Sequence, residues 1–234
     1  MPVNTEMLNH NEKVRKSLFR YFPLKLFILG LFICALFVLA VTVHEVFFEN
    51  EQAFDNKVFS FFSRISTEGV ITVMKFLTFF GAPMFLVPAY LFLIAYHILR
   101  KKYRYSLHIA LIAITGTILM FGLKDLTHRH RPDLPAIAGA HNYSFPSGHE
   151  LSIFIFSGIL IYLAWHSSFS PIYKWLITVL LFCVTITVGI SRIVLRLHYP
   201  TDVLASFCLG IVWAITSLWL LRMVSKKEEA KPPV

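Results

Sequence analysis

Three short segments of the sequence hold residues whose types and spacing suit the handling of a phosphate. The first runs from Lys124 to Pro132 and places Arg131 seven positions after Lys124, about two turns on if a helix continues through it. Two fixed cations leaning over one spot at a dry edge match a phosphate group. The second is Ser144-Phe-Pro-Ser147-Gly148-His149. Pro-Ser-Gly is turn chemistry, and it opens onto an apolar run whose first helical N–H groups would be free to bind an anion. Ser147 and the Gly148 amide are placed to cradle phosphate oxygens, and His149 to exchange a proton. The third is Ser191-Arg192, then five residues, then His198-Tyr-Pro-Thr-Asp202. His198 and Asp202 are four apart, a spacing that shares one helical face. A carboxylate on one imidazole nitrogen fixes the tautomer and raises the basicity of the other, which makes a usable nucleophile. Pro200 stands where the first turn of a helix accepts it. Taken singly, each segment also has an ordinary structural explanation: a snorkelling basic flank, an N-cap beside an exposed His, a capped helix start with a satisfied His.

The elements that must position these segments are membrane spans. The chain has 234 residues, 56% hydrophobic and 15% charged, with a mean hydropathy of +0.66. Soluble domains carry about 25% charged residues, so the composition excludes an ordinary soluble domain, a disordered chain and an acidic scaffold. Apolar runs at Leu26–Val43, Ala82–Leu99, Leu107–Leu123, Leu151–Trp165, Trp175–Ile190 and Val203–Leu221 approach the roughly 20 residues a bilayer crossing needs, each extended by a few flanking residues. Pro88 within the second is a candidate kink. The first run lacks the small-residue cleavage pattern of a signal peptide. Between the first two runs, Phe54, Val58, Phe61, Phe62 and Ile65 recur at helical spacing, and the apolar stretch Val70–Phe80 is short and carries Lys75. Phe54–Phe80 is therefore expected as helical structure on, or dipping into, one membrane surface, with a seventh span as the alternative. The predicted fold is all-α: a six-transmembrane-helix bundle with an extracytoplasmic amphipathic segment. It is expected as one membrane-embedded domain over residues 1–234, with its core at about 82–221, an N-terminal segment at 1–23 and a tail at 222–234.

Charge sets the orientation. The net charge of +9 is concentrated at Lys13, Arg15, Lys16, Arg20 and Lys25, at Arg100, Lys101, Lys102 and Arg104, and at Arg222, Lys226, Lys227 and Lys231. Six spans put all three clusters on one side, so both termini are expected in the cytoplasm. Glu45, Glu49, Glu51 and Asp55 fall on the other side. The cytoplasmic loop His166–Tyr173 has no Lys or Arg of its own. No polar domain offers a basic face, which argues against nucleic acid as a partner. Cys34, Cys183 and Cys208 are scattered through apolar runs, with neither disulfide nor metal-ligand spacing. No metal site and no cofactor are expected.

This topology brings the end of the third span, the start of the fourth and the turn between the fifth and sixth to one extracytoplasmic face, where charges are costly and tend to be functional. In order and spacing the three segments resemble the type 2 phosphatidic acid phosphatase superfamily, whose signature is K-x6-R-P, P-S-G-H and S-R-x5-H-x3-D. Lys124, Arg131, Pro132, Pro146, Ser147, Gly148, His149, Ser191, Arg192, His198 and Asp202 supply all of it. The resemblance extends from about Ala82 to Leu221, to the six-helix lipid-phosphatase branch. It implies that His198 attacks phosphorus and forms a phosphohistidine, held in its tautomer by Asp202. It also implies that His149 protonates the departing oxygen and then activates water, and that Lys124, Arg131, Arg192, Ser147 and the Gly148 amide bind the phosphate. Such an enzyme needs no metal, because fixed donors meet the transition-state charge. The implied substrate is a membrane lipid phosphate drawn sideways from the bilayer of a plasma membrane: undecaprenyl pyrophosphate, phosphatidylglycerol phosphate or phosphatidic acid. Oligomeric state is left open. Three positions depart from the pattern: Glu150 and Arg196 stand where small residues are common, and Ser206 replaces a frequent Gly. Arg196 is either a contact for a second phosphate or a solvated charge. The competing functional class is a lipid transporter or flippase, disfavoured because the charges gather at one end of the spans rather than the midplane. A metal hydrolase on His149, His198 and Asp202 is disfavoured by the neighbouring cations.

Overall fold

The computed structural model describes residues 5–49, 52–133, 135–136 and 143–229. Glu51 and Lys231, counted above among the orienting charges, lie outside them, as do the outermost residues of the N-terminal segment and the tail. Described side chains begin at Pro23, so the cluster from Lys13 to Arg20 and the tail side chains Arg222, Lys226 and Lys227 are likewise outside.

Among the described residues eight α-helices follow one another: α1 Thr5–His44, continued by a π-helical turn Glu45–Glu49, α2 Ala53–Ile65, α3 Glu68–Thr78, α4 Pro83–Leu99, α5 Tyr103–Thr127, α6 Gly148–Trp165, α7 Pro171–Val194 and α8 Pro200–Glu229. Six stretches are long and apolar enough to cross a membrane: Lys25–Glu49, Glu68–Leu99, Tyr103–Thr127, Gly148–Trp165, Pro171–Val194 and Pro200–Leu221. The fold is the expected all-α six-span bundle. α6 is its central post. Leu151, Ile155 and Ile159 pack with Ile109, Met120 and Leu209 of α5 and α8, while Ile153 and Phe156 pack with Leu86 of α4 and Val188 of α7. The outer helices carry exposed Leu, Ile and Phe along their lengths, as a lipid-facing surface requires.

The stretch 54–80, expected as helical structure on or dipping into one membrane surface, is helical and divides in two. Helix α2 ends at Ile65, and Thr67 starts α3 by accepting the Val70 N–H on its hydroxyl (3.3 Å), an N-cap arrangement. α3 then packs against α7 and leads through a 3-10 turn, Phe79–Gly81, into α4. The junction is fixed by Pro83: the residue before a proline is pushed out of the helical region, and Ala82 is extended (φ −76°, ψ 147°) while Pro83 opens α4. α3 and α4 thus belong to one apolar stretch, and there is no seventh span among the described residues. α2 is amphipathic as expected, but its protein-facing side is Asp55 and Phe59, whereas Phe54, Phe61 and Ile65 are exposed.

Gly81 sets the depth at which this junction meets the bundle. A Cβ there would stand 2.9 Å from His149 Cβ, His149 O and Val188 Cγ1, so only a glycine lets the turn lie flat against the start of α6.

Candidate active site

Four helix ends converge at one pole of the bundle: the C-termini of α5 and α7 and the N-termini of α6 and α8. α5 stops at Thr127, earlier than the spacing of Lys124 and Arg131 suggested. His128 takes the left-handed conformation (φ 47°) and its N–H closes on Lys124 O at 3.2 Å, as C-caps do. Arg131 therefore reaches the site from the non-helical segment after α5 rather than from a second helical turn. Lys124, still in α5, is buried and donates from Nζ to Tyr143 O at 2.6 Å.

His198 precedes α8, because the helix begins at Pro200. The imidazole is 1% exposed. Its Nδ1 stands 2.7 Å from the backbone carbonyl of Ser144 and 3.6 Å from Asp202 Oδ2. A carbonyl only accepts, so the hydrogen-bond network assigns the proton to Nδ1 and leaves a lone pair on Nε2. Arg131 Nη1 lies 3.3 Å from that nitrogen and donates to Leu197 O at 2.6 Å. The Nδ1 proton is thus shared between the Ser144 carbonyl and, at the longer distance, the Asp202 carboxylate on the same side of the ring. Asp202 Oδ2 accepts from the Ser144 hydroxyl and from the Tyr199 N–H, so the carboxylate orients the residue whose carbonyl holds the ring. Burial among cations depresses the His198 pKa to about 3: loss of solvent is the largest cause, Arg192 and Arg131 add to it, and Asp202 opposes.

Two donors of the site are buried without a hydrogen-bond partner among the described residues: Ser147 Oγ and Arg192 Nε. Polar atoms buried in this way carry a cost unless something satisfies them. Both belong to the set expected to hold phosphate. Arg192 is anchored at its other end, where Nη1 donates to Thr78 Oγ1 of α3 at 2.9 Å. Ser147 is the N-cap residue of α6, yet its hydroxyl makes no cap bond, so it is free to face an anion beside the Gly148 amide. Gly148 lies against α5, where an added Cβ would meet Met120 Sδ at 2.9 Å and Lys124 Cε at 3.8 Å. His149, pressed by Gly81, lies within electrostatic reach of Arg192, His198, Arg131 and Lys124. All eight expected residues are therefore gathered at one place. The arrangement offers a neutral imidazole nitrogen, a second imidazole and several fixed positive donors, which is what phosphoryl transfer without bond-making cofactors requires.

The departures are accounted for separately. The Glu150 side chain is buried against α7, with Oε2 2.7 Å from where a Gly189 Cβ would stand. The Arg196 guanidinium lies over the Phe59 ring of α2, 5.2 Å from its centroid. Ser206 donates to Asp202 O at 2.7 Å. The sequence reading missed Ser144 as the imidazole's partner, Thr78 as the anchor of Arg192, and a pair, Asp55 and Arg129, that reaches Asp202 from behind. Arg129 stood inside the quoted Lys124–Pro132 segment, and Asp55 was the one carboxylate on a helix otherwise rich in Phe; each was readable as a residue type and not as a partner.

The six-span bundle thus gathers a cationic, histidine-bearing cluster at one pole. The chain belongs to the PAP2 superfamily, whose pattern matches residues 105–227, a stretch that contains all three motif segments. It is similar to phosphatidylglycerophosphatase B of Bacillus subtilis, with 32% identity over 141 residues, 60% of this chain and 70% of that one. Among solved structures it resembles a transmembrane PAP2-type phosphatidylglycerolphosphate phosphatase from Bacillus subtilis, with a TM-score of 0.71, 27% identity, and coverage of 87% of this chain and 97% of that one. It shares its fold with LpxE of Aquifex aeolicus at a TM-score of 0.54 and 22% identity, over 71% of this chain and 96% of the other. The protein is a PAP2-family membrane lipid phosphatase.

Proposed function

We propose that the protein hydrolyses a phosphate ester of a membrane lipid, without a metal, through a phosphohistidine at His198. The observation that carries this reading is the His198 nitrogen left unprotonated by the Ser144 contact, beside Arg131, in a cluster where Ser147 Oγ and Arg192 Nε have no hydrogen-bond partner among the described residues. In the first step Nε2 attacks phosphorus, the bond from phosphorus to the lipid oxygen breaks, and His149 gives that oxygen its proton. In the second, His149 takes a proton from water, the water oxygen attacks phosphorus, and the phosphorus–nitrogen bond breaks to release inorganic phosphate. Lys124, Arg131, Arg192, Ser147 and the Gly148 amide hold the phosphoryl oxygens and meet the charge that develops on them. Three cationic side chains at the site supply what a metal ion would otherwise contribute, and they would repel one.

Phosphatidylglycerol phosphate is the substrate placed first, supported by the names of the relatives and by the Arg196 guanidinium being held over the Phe59 ring. The protein would act as a single domain of the plasma membrane, with both termini cytoplasmic and the site on the extracytoplasmic face, in keeping with the basic clusters. The test is inorganic phosphate release by the purified protein in EDTA, with phosphatidylglycerol phosphate, phosphatidic acid and undecaprenyl pyrophosphate offered in parallel. Release that is fastest with phosphatidylglycerol phosphate is the expected result. Strict dependence on an added divalent cation would overturn the metal-free mechanism, and preference for the diphosphate would overturn the substrate assignment.

A further inference from the structure

The chemistry just described leaves a buried ion network behind His198 unexplained, and it ends on α2. Asp55, in the first turn of that helix, is 1% exposed. Its Oδ1 accepts the Thr201 N–H at 2.9 Å, and its Oδ2 accepts the Thr201 hydroxyl at 2.8 Å and Arg129 Nη2 at 2.9 Å. Arg129 Nη1 donates in turn to Thr201 Oγ1 at 2.9 Å and to Asp202 Oδ1. The guanidinium plane is held from a third side by the Tyr199 ring, 4.1 Å from its centroid. One planar fork thus bridges two carboxylates from distant parts of the chain, which a lysine's point charge would not do. Buried ion pairs are weak contributors to stability against apolar replacements, so a network of this kind calls for another explanation. Its far end supplies one. Asp202 Oδ1 is pinned by Arg129, Oδ2 by Ser144 and Tyr199, and Ser144 holds the His198 ring.

We propose that Asp55 and Arg129 are positioning residues of the phosphatase reaction: they clamp Asp202, and through Ser144 they aim His198. This rests on the reading of His198 as nucleophile. Helix α2 then forms part of the active site. The helix that turns Phe54, Phe61 and Ile65 outward also fixes, through Thr201, where α8 begins.

The test is steady-state kinetics with pH profiles for Arg129→Gln, Arg129→Lys, Asp55→Asn and the double variant Asp55→Asn/Arg129→Gln, with His198→Ala alongside. Neither clamp residue touches the phosphate, so kcat falls, on the scale of outer-shell partners of a working histidine by about ten- to hundredfold, while KM holds. Arg129→Lys does not rescue. The double variant is no worse than Arg129→Gln alone, as for residues that act as a unit. The charged and titratable groups around His198 are Asp202 from α8, Arg192 from α7, His149 from α6, and Lys124 and Arg131 from α5 and the segment after it. Removing Arg129 leaves the Asp202 charge uncompensated, so His198 holds a proton more tightly and the acid limb of kcat/KM moves up in pH. Removing the Asp55 charge gives Arg129 wholly to Asp202 and moves that limb down. Opposite shifts are not produced by simple structural damage. Should Arg129→Gln fail to fold, Asp55→Asn, which keeps the shape, decides alone. Wild-type kcat and limb in the clamp variants, with His198→Ala inactive, overturn the clamp and leave the nucleophile standing. Activity in His198→Ala overturns both.

Discussion

Replacing Gly81 by alanine adds one methyl group at the point where the α3–α4 turn presses on α6. The new Cβ would stand 2.9 Å from three atoms, two of them on His149. One of the three is the His149 backbone oxygen, which cannot rotate aside. Carbon contacts settle near 3.5–4.0 Å, so the turn and α6 must part by roughly 0.6 Å or more. Overpacking of this kind costs about 1–3 kcal/mol of stability. The effect on rate is larger, because a displacement of about 1 Å in a working group can cost around a hundredfold, and here the group is the proposed general acid itself. The assay is single-turnover phosphate release, with a lipid substrate and with an ester whose leaving group is already acidic and needs no proton. Gly81→Ala should lose about a hundredfold on the first and far less on the second, with a modest fall in melting temperature. Equal losses on both substrates, or wild-type rates with a wild-type melting temperature, would refute the placement of His149 as acid beside this turn.

Other expectations follow from single contacts. Ser147→Ala removes a hydroxyl that has no partner among the described residues, so the melting temperature should hold while kcat drops about tenfold, the scale of one hydrogen bond to a charged group; paired melts and kinetics check it. Thr78→Val deprives Arg192 of its 2.9 Å anchor and should weaken competitive inhibition by inorganic phosphate several-fold, a loss of about 1 kcal/mol, read as a rise in the inhibition constant. His198, depressed from 6.5 to about 3, stays neutral through mildly acidic pH, so kcat/KM should show no loss of nucleophile on crossing 6.5. The unfolded chain binds a proton there that the folded one refuses, so stability falls as pH drops from 6.5 toward 3. Thermal melts of wild type against His198→Asn should show that slope flatten in the variant.

Much of this architecture is written in residue types. The six crossings follow from apolar runs that need only length and composition to be seen, and the structure lengthens them without moving them. The eight site residues stand at spacings that the helix ends bring together. What escaped is the identity of partners. The i,i+4 spacing of His198 and Asp202 suggested a direct bond, but Pro200 starts the helix after His198, and the imidazole turns to a carbonyl contributed by Ser144, 54 positions earlier. Backbone acceptors carry no mark in a sequence. Asp55 escaped for a related reason: it reads as one acidic residue on an amphipathic helix, whereas the structure buries it against Thr201 and Arg129, 146 and 74 positions away. Arg129 and Arg131 are alike as letters, yet one braces a carboxylate and the other faces the imidazole.

The central claim is a covalent bond between phosphorus and His198. Rapid mixing of the protein with a phosphate-labelled lipid, quenching in alkali and peptide mass spectrometry tests it directly. The account predicts a mass increment of one phosphoryl group on the peptide that contains His198, formed and lost at rates compatible with turnover, and absent in His198→Ala. Turnover with no phosphorylated intermediate, or with the group on His149, would contradict it.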